Sequence, residues 1–335
     1  MVIPGTDTSF SAVQAIVYRT YGSPDVLRCE EIEQPIPAAD EVLIEVHAAS
    51  VNPFDWHFMR GEPYLFRLMI GLGKPKSPRL GADVAGTVVA VGRDVTRLKT
   101  GDEVFGACRG SFAEYACAPV SRLAVKPERV TFEQAASVPI AALTALQGLR
   151  DKGHVRPGND VLVNGAAGGV GTFAVQIAKS FGARVTGVCS ARNLELVRGI
   201  GADDAIDYAR EDLARRAERY DVVLDLVGNH SLRAWRRVLK PSGTCVGAAG
   251  TTDPWMIGPL VGMMAAPVLS LFGSRKLVSL LASINPGDLA LVGEFVASGK
   301  VTPVIDRRYA LRQVPEAIRY LEAGHARGKV IIVRG

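Results

Sequence analysis

A glycine-rich turn at residues 165–171 separates two segments of opposite character. Before it, Val161, Leu162 and Val163 read as a short buried strand. After it, Thr172 to Ser180 reads as a helix, with Phe173, Val175, Ile177 and Ala178 as its packing residues. Arg184 to Cys189 reads as a second strand, so one βαβ unit closes within about 30 residues. Such a unit calls for a parallel sheet covered by helices, and it is the context in which a dinucleotide fingerprint has meaning. The run Ala166-Ala167-Gly168-Gly169-Val170-Gly171 departs from the G-x-G-x-x-G pattern at its first position, where Ala166 stands. Gly168 lets the backbone approach a pyrophosphate, Gly171 lets the helix lie close on the strand, and N–H groups at the helix start face the phosphates. Ala167, Gly168, Gly169 and Val170 are therefore the expected cofactor-binding turn. The alternative is a glycine turn that binds nothing, and the complete βαβ unit argues against it.

A chain of 335 residues that is 48% hydrophobic can bury two cores, and two domains are expected. Ahead of the βαβ unit, a strand and turn are expected over Gln14 to Gly22, and strands at Glu41 to Ala49, Gly81 to Gly92, Gly101 to Gly106 and Gly110 to Pro119. Short strands punctuated by glycine turns indicate a β-rich first domain. Thr131 with Gln134 three residues on marks a helix start, and Ala141 to Leu149 reads as a further helix. Later elements are strands at Asp221 to Gly228, Gly243 to Ala249 and Val301 to Ile305, helices at Asp288 to Ala297 and Val314 to Ala323, and a final strand at Lys329 to Val333.

Several function classes are disfavoured. The net charge is +5, with Lys and Arg scattered among 34 acids and no basic run for nucleic acid. Five widely separated cysteines form no C-x-x-C pair, which fits a reducing, cytoplasmic setting. Residues 1–12 lack an apolar signal core and read as a loose tail. Residues 254–274 carry no charge, but Pro254, Pro259 and Pro267 argue against a membrane-spanning helix. A mobile segment over the active site, followed by a strand at Val268 to Phe272, is the expectation there.

The chain resembles the medium-chain dehydrogenases/reductases, in their zinc-free quinone oxidoreductase branch. The matching pieces are Ala-Ser-Val-Asn-Pro-x-Asp at 49–55, Gly-Ala-Asp-Val-Ala-Gly at 81–86, Gly-Asp-x-Val-Phe-Gly at 101–106, Gly-Ser-Phe-Ala-Glu-Tyr at 110–115, the fingerprint, Gly-Ala-Asp-Asp-Ala-Ile-Asp-Tyr at 201–208 and Gly-His-Ala-Arg-Gly-Lys at 324–329. The resemblance implies an α/β architecture: a GroES-like β-rich catalytic domain from residues 1–135 and 300–335, and a Rossmann doubly wound parallel-sheet cofactor domain from 136–299. It implies that Thr144 lies near the nicotinamide, that Leu226 and Val246 end strands under the cofactor, and that the loop His325-Ala326-Arg327 touches the cofactor from the other side. Zinc-dependent members place catalytic ligands where this chain has Asn52, Ala82 and Ile140, and a catalytic zinc needs three protein ligands. No metal is expected. Strands equivalent to Val268–Phe272 pair across a twofold axis in resembled proteins, so a homodimer is expected.

An NAD site places Asp or Glu at the end of the second strand. Cys189-Ser190-Ala191-Arg192-Asn193 has none there. Ser190 can donate to a 2′-phosphate and Arg192 can pair with it, and the family's phosphate-binding tyrosine falls on Tyr208. NADPH is the expected cofactor. The expected activity is hydride transfer to a quinone or an activated alkene (enone). Asn52 is the polar residue expected beside the nicotinamide. Tyr64 is a proton-donor candidate, with water as the other source. A 2-enoyl thioester reductase and a catalytically idle NADPH-binding sensor are the alternatives.

Overall fold

The computed structural model describes residues 12–211, 213, 217–248 and 274–334. The expected tail at 1–12 lies outside them apart from its last residue, which opens a strand. The expected strand Val268 to Phe272 also lies outside them.

Strands β1 (Ala12–Val17) and β2 (Arg28–Glu33) form an antiparallel hairpin. Then come β3 (Glu41–Val51), helix α1 (Pro53–Arg60), the short α2 (Arg67–Ile70), β4 (Asp83–Val91), β5 (Glu103–Ala107), β6 (Tyr115–Pro119) and β7 (Leu123–Val125). Helices α3 (Phe132–Ser137) and α4 (Pro139–Gln147) cross to the next layer. Thr131 caps α3 as expected: its Oγ1 accepts from the Gln134 N–H at 3.2 Å, and Gln134 Oε1 accepts from the Thr131 N–H at 3.0 Å.

The second layer holds β8 (Asp160–Asn164), α5 (Gly169–Ser180), β9 (Arg184–Cys189), α6 (Leu194–Gly199), β10 (Asp204–Asp207), β11 (Tyr220–Asp225), α7 (Leu232–Val238), β12 (Leu239–Gly247) and β13 (Lys276–Ser279). All its strand pairs are parallel, in the order β10-β9-β8-β11-β12-β13. The order reverses between β8 and β11, and a crevice at such a switch point is where open α/β sheets bind ligands. The glycine turn follows β8 directly.

The chain then passes through α8 (Pro286–Ala297), β14 (Ile305–Ala310), α9 (Val314–Glu322) and β15 (Lys329–Val333). Here β15 rejoins the first sheet, antiparallel to the end of β3, with Val330 opposite Val51. The first half of β3 pairs with β6 and its other edge with β4. One core runs through the seam between the layers: Ala48, Ala85 and Phe105 of the first sheet pack with Leu143 and Leu146 of α4 and with Leu289 and Val292 of α8.

Two strand expectations shift. The segment Val301 to Ile305 is not a strand before Ile305. Thr302 instead exchanges both backbone groups with the buried Gln176 amide, its N–H donating to Oε1 at 2.7 Å and its carbonyl accepting from Nε2 at 3.0 Å. The strand expected from Gly110 starts at Tyr115. Gly110 has φ 85° and turns the chain, and the N–H groups of Gly110 and Ser111 both donate to the Gly81 carbonyl. Among the described residues no helix is long and apolar enough to cross a membrane.

Candidate active site

The fingerprint turn leaves β8 through Gly165, at φ 88°. Gly168 is the N-cap of α5 and supplies no side chain to its first turn. The first N–H groups of any α-helix lack intrahelical partners, so those of Gly169, Val170 and Gly171 are oriented for an anion. A Cβ on Gly168 would meet only the Gly165 carbonyl, at 3.4 Å, so the space over the turn is open. A Cβ on Gly171 would stand 2.1 Å from the same oxygen, which makes that glycine a packing requirement. These residues fit a pyrophosphate. Ala167 is buried beneath them, and its carbonyl accepts from the Gly328 N–H at 2.9 Å.

At the end of β9, Ser190 caps a turn through Asn193, whose Nδ2 donates to Ser190 Oγ at 3.1 Å. Arg192 is exposed, with Nη2 at 3.5 Å from the His325 carbonyl. Tyr208 follows β10; its N–H donates to the Cys189 carbonyl at 3.2 Å, and its ring is exposed. Ser190, Arg192 and Tyr208 are thereby gathered at the strand ends, with no carboxylate at position 190. The loop His325-Ala326-Arg327 borders the same side: Arg327 donates its N–H to Asp306 Oδ2 at 2.9 Å, and Ala326 is partly buried against the first sheet's core.

Under the crevice, Leu226 follows β11 and donates its N–H to the Asn164 carbonyl at 3.1 Å, while Val246 is fully buried in β12. Thr144, on α4, gives its hydroxyl proton to the Ile140 carbonyl at 2.7 Å, which leaves its oxygen to accept. Tyr64 starts a 3-10 turn on the surface, with the Arg67 guanidinium 4.9 Å over its ring.

Asn52 lies at the start of α1 and is only 2% exposed. Its Nδ2 donates to Asp83 Oδ2 at 2.9 Å and to the Ser50 carbonyl at 3.3 Å, and its Oδ1 accepts from Lys329 Nζ at 2.6 Å. Asp83 also accepts from Ser50 Oγ at 2.7 Å and from the Ile140 N–H at 3.1 Å, and lies 3.4 Å from Lys329 Nζ. Asp55 accepts from the Asn52 N–H at 2.8 Å. Asp83, Lys329, Asp55 and Ser50 received no role from the sequence. All four stood inside motifs quoted for the resemblance, yet nothing local signals that groups so far apart in sequence meet in a core.

Burial pushes the Asp55 carboxyl up to about 7; Asp83 adds to the rise, while the N–H groups of Asn52 and Gly81 and the Lys329 charge oppose it. A carboxyl raised above its ordinary 3.8 holds its proton in the folded state after the unfolded chain has released it. Its contribution to stability is full below that ordinary value and is lost as pH rises through about 7. Asp55→Asn should therefore flatten the fall in Tm between about pH 4 and about pH 7. Thermal melts of both proteins across that window check this, and parallel profiles would refute it.

Among the described residues, no group of three or more His, Cys, Asp or Glu side chains is arranged to hold a metal ion. His47 packs on Phe132 and is within 3.0 Å of Thr87 Oγ1.

Two family models match the chain: Alcohol dehydrogenase GroES-like domain over residues 38–128, and Zinc-binding dehydrogenase over residues 200–332. A 2-methylene-furan-3-one reductase of Solanum lycopersicum is 36% identical, over 98% of this chain and 81% of that protein. The quinone oxidoreductase from Coxiella burnetii superposes with a TM-score of 0.85 at 32% identity, covering 97% of this chain and all of that one. The Escherichia coli quinone oxidoreductase complexed with NADPH gives a TM-score of 0.82 at 26% identity, covering 96% and 99% of the two chains.

Proposed function

The chain belongs to the medium-chain dehydrogenases/reductases, in their quinone oxidoreductase branch, and from that premise we propose an NADPH-dependent, zinc-independent oxidoreductase acting on quinones or activated alkenes. The observation that carries the reading is the pairing of an uncapped glycine helix start with a β9 end that offers Ser190 and Arg192 in place of an acid. NADPH, when bound, supplies the hydride. The backbone of Gly168, Gly169 and Val170 holds the pyrophosphate over buried Ala167. Arg192, Ser190 and Tyr208 take the 2′-phosphate, and the His325–Arg327 loop closes that side. Thr144, Leu226, Val246 and Asn52 bound the nicotinamide end. The protein's share is to orient the reactants and exclude water. Tyr64 Oη is the side-chain proton donor of this reading, and solvent is the other source. Asn52, Ala82 and Ile140 offer no thiolate, imidazole or carboxylate to a catalytic zinc.

The division into 1–135 with 300–335 and 136–299 belongs to the same proposal, supported by the return of β15 to β3. So does a homodimer. Among the described residues β13 is an outer strand of its sheet, and Leu281 just beyond it is 96% exposed, an arrangement that favours pairing with a second copy. Sedimentation of a monomer at micromolar concentration would remove that part. A cytoplasmic setting is supported by five free cysteines and is checked by cell fractionation.

A screen of NADPH oxidation over quinones, enones and 2-enoyl thioesters, with metal analysis of the same preparation, tests the whole. Turnover of quinones or enones without stoichiometric zinc is expected. Turnover confined to enoyl thioesters would replace the substrate class, and NADPH binding without any turnover would favour the sensor.

A further inference from the structure

We propose that Lys329 is a positioning residue: its ammonium, shared between Asn52 and Asp83, fixes the Asn52 carboxamide against the dinucleotide turn. The amide is fully specified. Both Nδ2 protons are used, one on Asp83 and one on the Ser50 carbonyl, and Oδ1 takes Lys329 at 2.6 Å. Turning the amide over would set its NH₂ against the ammonium and its oxygen against the Asp83 carboxylate, so orientation and charge are locked together.

The cation itself is locked by the second layer. Lys329 is 3% exposed, and its backbone N–H donates to the Val304 carbonyl at 2.8 Å. The preceding Gly328 donates to Ala167 in the fingerprint turn and pairs with Gly168. A Cβ built on Gly169 would meet Lys329 Cδ at 3.2 Å, so the lysine stem lies along the first residue of α5. One side chain thus touches both the helix start assigned to the pyrophosphate and the carboxamide assigned to the nicotinamide end. Burial pushes the ammonium below its ordinary value, and the Asp83 charge, with a smaller contribution from Asp55, opposes that. A buried cation is retained only where such partners hold it. Oδ1 keeps one lone pair, which gives Asn52 a defined acceptor for whatever lies beside it.

This inference rests on the oxidoreductase reading, and its test separates the two. Lys329→Met, Lys329→Arg, Asn52→Ala and the Lys329→Met/Asn52→Ala double variant are compared by kcat and KM with a quinone. They are also compared by the fluorescence of bound NADPH, which reports the seating of the ring without turnover. Lys329→Met should lower kcat on the order of a hundredfold, the scale of a small misplacement of reacting groups, with KM little changed. Asn52→Ala should match it, the double variant should be no worse than either, and Lys329→Arg should recover part of the loss. The change in bound-NADPH emission should follow the same pattern. Losses that multiply in the double variant, or a Lys329→Met protein with wild-type kcat and emission, would overturn the proposal. Should Lys329→Met fail to fold because Asp83 has lost its cation, Lys329→Met/Asp83→Asn removes both charges and takes its place in the cycle. Wild-type protein that binds NADPH but reduces no quinone or enone would sink the functional reading alone, and the emission cycle would then decide on Lys329.

Discussion

Arg192→Ala is expected to weaken NADPH binding by about tenfold to a hundredfold, the loss of one charge-assisted hydrogen-bond partner at roughly 1.5–3 kcal/mol. The guanidinium is exposed at the end of β9, and its one hydrogen-bond contact among the described residues, the His325 carbonyl at 3.5 Å, is at the limit of a hydrogen bond. It is therefore available to a phosphate. NADH lacks the 2′-phosphate, so its affinity should stay nearly unchanged. Ser190→Asp with Arg192→Ala should tilt the preference toward NADH, because a carboxylate at 190 accepts from ribose hydroxyls and repels phosphate. Dissociation constants of both cofactors for the three proteins are the measurement. Equal weakening of both cofactors by Arg192→Ala, or wild-type binding of NADH as tight as NADPH, would show that the phosphate is not held there.

Gly171→Ala should cost about 3 kcal/mol of stability, a large part of what holds a typical domain folded. The added carbon would stand 2.1 Å from the Gly165 carbonyl oxygen and 2.7 Å from Ala166 Cα. These are backbone atoms at the join of β8 and α5 and cannot move aside alone. Gly168→Ala is the contrast: its Cβ has no neighbour closer than 3.4 Å, so the fold should survive while the approach of a pyrophosphate is blocked. Gly199→Ala, at the end of α6 with nothing within 4 Å, should be neutral or slightly stabilising. Denaturant melts and NADPH titrations of the three variants separate packing from binding. A Gly171→Ala protein as stable as wild type would contradict the steric account.

Elements with a local signature were legible. The β8–α5–β9 unit could be read because apolar strand, glycine turn and helix are contiguous, and the Thr131 cap because Gln134 stands three residues on. Helix α1 was not. No helix was expected there, yet proline is at home in a helix's first turn, where its missing N–H costs nothing. Strand β2, Arg-Cys-Glu-Glu-Ile-Glu, was hidden by its charges; it is a largely exposed hairpin strand held by β1. At the candidate site, the placing of Ser190 and Arg192 just past β9 was legible because the strand has a local apolar signature, whereas Tyr208 was singled out by the resemblance. The Asn52–Asp83–Lys329 cluster was not legible, because Asp and Lys are surface residues by default and only the tertiary fold brings these two together in the core.

The pairing of β15 with β3 also sets an order of events during synthesis. Asn52 and Lys329 are separated by 277 residues, so at about 5–20 residues per second the ribosome delivers the lysine on the order of tens of seconds after the asparagine. The six described strands of the parallel sheet lie entirely within that interval, and their pairings with one another involve no residue that follows β13. The nucleotide sheet can thus assemble while the chain is still being made. Over the same period the end of β3 waits with one edge open, a surface that invites wrong partners until β15 arrives.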